Sequence, residues 1–114
     1  MSVRSTTFTP VTDEALIEEA GRRLTAAAPD ARVILFGSHA RGTAHSGSDL
    51  DLLVIEPEIE SRNAEYVRLR NALGELGVPV DLIVYRSAEA EKWSRVPGTF
   101  VRDALREGRV LAGG

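Results

Sequence analysis

Two aspartates, Asp49 and Asp51, stand at a spacing of two on the lip of an apolar run, Leu50 to Ile55. In an extended strand residues i and i+2 point to the same face, so both carboxylates would look into one place. Upstream, a strand-like run from Val33 to Phe36 stops at Gly37-Ser38, and a glycine-rich loop follows. A serine after a glycine at a strand end is well placed to cap a short helix starting near His39, whose unpaired N–H groups form an anion site. Adjacent like charges raise each other's pKa and cost stability unless a cation sits between them. Paired acids beside an anion loop are the pattern expected for a divalent metal and a phosphate. The plainer alternative is a loop aspartate followed by a solvent-facing strand aspartate.

A third acid, Asp81, interrupts the apolar run Val80 to Tyr85. A lone carboxylate inside such a strand is costly unless it is partnered. It is either salt-bridged to a nearby arginine, placed at a strand edge facing water, or functional. His39 and His45 flank the loop without metal-ligand spacing to another histidine or cysteine and read as solvated loop residues. Arg41 reads as a structural pairing that also shapes the loop.

The elements that must position these acids follow from periodicity. Leu16, Ala20, Leu24 and Ala27 repeat at helical spacing, which predicts an amphipathic helix from about Asp13 to Ala28, capped by Thr12 and ended by Pro29-Asp30. Arg32 to Phe36 and Leu50 to Ile55 are strands, and a turn-forming stretch from residue 42 to 48 links them. Tyr66, Leu69, Leu73 and Leu76 predict a core-facing helix from about Glu58 to Leu76, with Gly77 as its C-cap. Val80 to Tyr85 is a third strand. Ser87 caps a short helix through Trp93, which is expected to pack that helix against the sheet. Thr99 caps a last helix through Glu107, Gly108 stops it, and Arg109 to Leu111 is a short edge strand. Arg95, Arg102, Arg106 and Arg109 read as a solvated face or a partner-facing stripe. The order predicts an α/β domain with a small sheet: residues 1–11 as a flexible arm, 12–114 as one domain.

Composition narrows the classes. A chain of 114 residues builds one core. Its formal charge of −3 argues against broad nucleic-acid binding, and the absence of cysteine excludes disulfides, thiolate nucleophiles and cysteine-based zinc sites. The apolar runs are too short for a membrane span, and the Ser/Thr-rich start lacks the apolar stretch of a signal peptide, so a cytoplasmic protein is expected. Lys92 is the sole lysine beside thirteen arginines, so a phosphate grip would be a guanidinium fork.

Gly37-Ser38-His39-Ala40-Arg41-Gly42, followed by Ser48-Asp49-Leu50-Asp51-Leu52, closely resembles the signature of the DNA-polymerase-beta-like nucleotidyltransferase superfamily. Within it, the chain is similar to the stand-alone minimal nucleotidyltransferases, often the antitoxin half of a pair with a HEPN-type toxin. The resemblance implies a small mixed β-sheet of three to four strands with helices packed mainly on one face. It implies two Mg²⁺ ions held by Asp49, Asp51 and Asp81, and a nucleotide held at Gly37, Ser38, Arg41 and Ser48. It further implies transfer of AMP from ATP to a tyrosine hydroxyl of the toxin, which silences an RNA-cleaving partner. Two other readings stay open: an antitoxin that neutralises by complex formation with a vestigial or regulatory nucleotide site, and a subunit that modifies a small molecule.

Overall fold

The computed structural model describes residues 13–37, 40, 42 and 49–113. Its elements are α1 (Asp13–Ala27), β1 (Arg32–Phe36), β2 (Leu50–Glu56), α2 (Arg62–Leu73), β3 (Val80–Arg86), α3 (Ser87–Ser94), α4 (Phe100–Glu107) and β4 (Arg109–Ala112). The strands form one mixed sheet in the order β3-β2-β1-β4. β1 runs antiparallel to β2 and β4, while β2 and β3 are parallel. The expected α/β architecture with a small mixed sheet is present. Thr12 and the arm at residues 1–11 lie outside the described residues.

Alternation along the strands sorts the core into two layers. Val33, Leu35, Leu50, Leu52, Val54, Leu82 and Val84 face α1 and α2, where Ile17, Ala20, Leu24, Leu69 and Leu73 close over them. Ile34, Leu53 and Ile55 face the other way, against Ala90 of α3 and Val101 and Ala104 of α4. The two long helices therefore share one face, and two eight-residue helices cover the central strands on the other. Among the described residues no helix is long and apolar enough to cross a membrane.

The second helix is shorter than its periodicity predicts. Ile59 is buried, and Arg86 Nε donates to its carbonyl at 2.9 Å, which holds the segment after β2 out of helical geometry. The helix starts only at Ser61, whose Oγ accepts from Ala64 N at 3.2 Å. It ends at Gly74 rather than Gly77, where the Gly74 N–H donates to Arg70 O and the Arg23 guanidinium reaches the Leu73 carbonyl. Leu69 and Leu73 are core, but Tyr66 is 39% exposed and is not. Trp93 is also 39% exposed, with the Lys92 ammonium 5.4 Å from its ring centroid, so it does not seal α3 to the sheet.

α4 and β4 depend on a close approach. The Thr99 hydroxyl accepts from Arg102 N, starting α4 as predicted. A Cβ at Gly108 would lie 2.3 Å from the Ala104 carbonyl oxygen and 2.5 Å from Ile34 Cγ2. Only glycine lets the chain turn out of α4 and pair at once with β1.

Candidate active site

The burial of Leu50 and Leu52 decides where Asp51 goes. Because these leucines fill the layer under α1 and α2, Asp51 between them must emerge on the α4 face. The same parity holds on β3, where Leu82 and Val84 are buried and Asp81 is exposed. The parallel register makes Asp51 and Asp81 direct partners, and Phe36 at the end of β1 sits opposite Asp51. Adjacent strands lie about 4.8 Å apart, so the two carboxylates rise side by side. Asp49, the residue before β2, is exposed, and Leu50 N donates to Pro79 O at 2.9 Å, joining the entries of β2 and β3.

Gly37 completes the geometry. It turns the chain out of β1 at φ +78°, and a Cβ there would stand 2.2 Å from Asp51 Oδ2. The half-buried Asp51 carboxylate thus lies against bare backbone, where a side chain on residue 37 would displace it. Among the described residues neither Asp49 nor Asp81 has an ion pair. Nor does any group of three or more His, Cys, Asp or Glu side chains among them stand ready to hold a metal ion. Two carboxylates are paired by register, and Asp49 precedes β2 at the strand lip. Hard oxygen donors of this kind suit Mg²⁺ or a similar ion, which keeps several positions for water and substrate phosphates. Ser38, Arg41, Ser48, His39 and His45 lie outside the described residues.

A cavity of about 400 Å³ opens beside Gly37, lined by Phe36, Ala40, Phe100, Asp103 and Glu107 among others. Phe36 and Phe100 meet edge to face with ring centroids 4.7 Å apart, which fixes α4 against the end of β1. Phe100, Asp103 and Glu107 carry no sequence signal that assigns them to this cavity. Their spacing of i, i+3 and i+7 after the Thr99 cap places them on one helical face, but nothing local says which strand that face meets. A larger groove, about 580 Å³, lies between α1 and β4 away from the carboxylates. A strongly perturbed acid is also remote: burial and the neighbouring Glu65 carboxylate push Glu56, at the far end of β2, up to about 7.

Comparison with solved structures finds the same fold. A crystal structure of a toxin-antitoxin with AMP-PNP superposes with a TM-score of 0.60 at 24% identity, covering 90% of this chain and 75% of that one. A nucleotidyltransferase described as putative, from Sulfolobus solfataricus, gives a TM-score of 0.60 at 18% identity, covering 96% and 87%. A mutant of the toxin-antitoxin MntA-HpeT gives 0.56 at 20%, covering 82% and 69%. A search of curated proteins finds no match. The family model for the nucleotidyltransferase domain matches residues 15–111, which includes every described strand but the last residue of β4 and all of the described acids on β2 and β3. By that match, this chain belongs to the nucleotidyltransferase domain family.

Proposed function

We propose that the protein transfers a nucleoside monophosphate, AMP from ATP, to a hydroxyl on a partner protein, and that the partner is a HEPN-type toxin silenced by the modification. The observation that carries this reading is the register of Asp51 with Asp81 against the Cβ-free turn at Gly37. It gives a nucleotidyltransferase domain two acids in one place next to a backbone turn suited to a phosphate tail. The toxin-antitoxin structures sharing the fold, one of them with AMP-PNP, support the choice of partner and of an adenine nucleotide.

Asp49, Asp51 and Asp81 would hold two Mg²⁺ ions. When bound, such ions stabilise the attacking and leaving oxygens of an in-line displacement. The chain's own part is binding, orientation and proton removal. Backbone N–H groups at Gly37 and Ser38 would bind the β- and γ-phosphates, with Arg41 and Ser48, between β1 and β2 in sequence, as further nucleotide-binding residues. The toxin tyrosine oxygen attacks the α-phosphorus; the new O–P bond forms as the bond to the bridging oxygen breaks, and pyrophosphate leaves with that electron pair. Asp81, exposed on the edge strand, would accept the tyrosine proton.

One observation favours a second reading, an antitoxin that acts by complex formation alone. No three-carboxylate cage is assembled among the described residues. One experiment separates the two. The protein is incubated with Mg²⁺, α-labelled ATP and the cognate toxin, and the toxin is weighed by mass spectrometry. Transfer gives an AMP adduct on tyrosine that falls about 10²-fold or more in Asp81→Asn and in Asp49→Ala/Asp51→Ala. Absence of the adduct, with neutralisation intact in the double variant, would establish the binding reading instead.

A further inference from the structure

The sheet has two outer edges, and they differ. β4 is four residues long, and its pairing with β1 shifts register between Val33 and Ile34. Shortness and a bulge are two of the devices that keep an edge from adding strands. β3 has neither. It runs seven residues, contains no proline, and keeps one register with β2 from Val80 to Arg86. Among the described residues no strand covers its outer side.

The hydrogen bonds say which groups of β3 point outward. Leu50 pairs with Val80, and its N–H donates to the Pro79 carbonyl. The odd-numbered residues of β3 therefore turn their main-chain groups toward β2, and the even-numbered ones turn theirs away. Two side-chain bonds obey that alternation. Arg70 Nη1 donates to Val80 O at 3.1 Å, and Arg86 N donates to Glu89 Oε1 at 2.9 Å. The first and last outward residues are thus capped at one group each. Between them, Leu82 and Val84 bury their side chains under the long helices and turn an N–H and a C=O apiece to the outside. Among the described residues no side chain caps these groups. Donor and acceptor pairs two residues apart are the pattern that an added strand bonds.

Asp81 stands at one end of this open stretch, exposed on the face opposite the long helices. A strand laid along β3 sets one of its side chains beside Asp81 on that face, and the next residue turns to the other face. There the exposed Arg70 reaches the Val80 carbonyl from α2, and among the described residues no carboxylate pairs with it. Arg62 and Arg86, further along the same edge, are already paired with Glu89. We propose that the outer edge of β3 takes the acceptor segment of the partner protein as an added strand, with the acceptor hydroxyl side chain beside Asp81 and an acidic residue next to it in sequence against Arg70. The added strand bonds Leu82 and Val84 and leaves β4 free. This inference rests on the proposed transfer and adds to it the conformation and charge of the acceptor.

Amide hydrogen exchange, resolved by residue, tests it on the full chain with Mg²⁺, a non-hydrolysable ATP analogue and the cognate toxin. The expected result is that toxin binding slows the Leu82 and Val84 amides about tenfold or more. In the transfer assay Arg70→Glu raises the toxin KM about tenfold or more with kcat unchanged, and an arginine in place of the acid beside the modified tyrosine restores it. An AMP adduct that forms while Leu82 and Val84 exchange as fast as in the free chain overturns the proposal and leaves the transfer standing. An Arg70→Glu variant that lowers kcat alone, or changes neither constant, does the same. Amides that slow without toxin as the chain is concentrated assign the edge to a second copy and equally overturn it. Absence of any adduct removes the transfer reading, and this one with it.

Discussion

Asp51 and Gly37 illustrate how a single backbone position can hold a carboxylate in place. Gly37 and Gly42 both have left-handed φ, +78° and +76°. They differ in surroundings: a Cβ at Gly37 meets Asp51, whereas at Gly42 nothing lies within 4 Å. Gly42→Ala therefore bears only the conformational cost of about 1–2 kcal/mol. Gly37→Ala bears that cost and also displaces the Asp51 carboxylate. We expect a larger loss of unfolding free energy in urea for Gly37→Ala than for Gly42→Ala, together with a loss of nucleotide transfer. Equal losses in the two variants would show that the carboxylate is not held against the turn. The glycine could be read in the sequence as a turn residue; its grip on Asp51 could not, because that contact is set by the β1–β2 register.

Between elements, the joint of α2 with the end of β2 carries a charge that responds to pH. Glu56 ends β2 on the α2 face, and its Oε2 is buried without a hydrogen-bond partner. Glu65 and Arg68 face it from α2, and Asp30 and Glu58 border the adjoining cavity with Arg68. Arg68 pairs with Glu65 at 2.6 Å and donates to the Ala27 carbonyl at 2.7 Å, which ties α2 to the end of α1. Burial first, then Glu65, raise Glu56 from 4.5 to about 7, so the folded state holds a proton that the unfolded chain releases earlier. The stabilisation from this proton is fully present below 4.5 and is lost as pH rises through about 7. Glu56→Gln keeps a neutral donor toward Glu65 and should be more stable than the native protein by about 1–2 kcal/mol at pH 8, after discounting for solvent screening. The two should converge near pH 4. A difference that does not vary with pH would refute the assignment. Apolar spacing alone predicts a start of α2 at about Glu58. The burial of Ile59 and its bond to Arg86 override that spacing and move the start to Ser61.

At the scale of the molecule, the acids gather at one end of a four-stranded sheet and the longer helices lie on the face away from Asp51. A ligand that binds only the folded state stabilises it by mass action. Mg²⁺ with a non-hydrolysable ATP analogue, each at ten times its dissociation constant, should add about 1.4 kcal/mol and raise Tm by about 5 °C. Removing the ion with EDTA, or substituting Asp51→Asn, should abolish the shift. A shift that survives both would place the nucleotide elsewhere than at the paired acids. The net charge of −3 gives the whole surface no general attraction for an anion.

The family, the α/β class, the identity of the strands and the residue types of the candidate site were written in the chain itself. Strand alternation and glycine turns act over a few residues, and the spacing of Asp49 and Asp51 is local too. Tertiary structure alone decided that Asp81 stands beside Asp51, that α4 lends Phe100, Asp103 and Glu107 to the neighbouring cavity, and that β4 closes one edge with its outer side open. Each of these depends on which strand pairs with which and in what register. Pairing is settled by the burial of residues far apart in sequence, and no local pattern carries it.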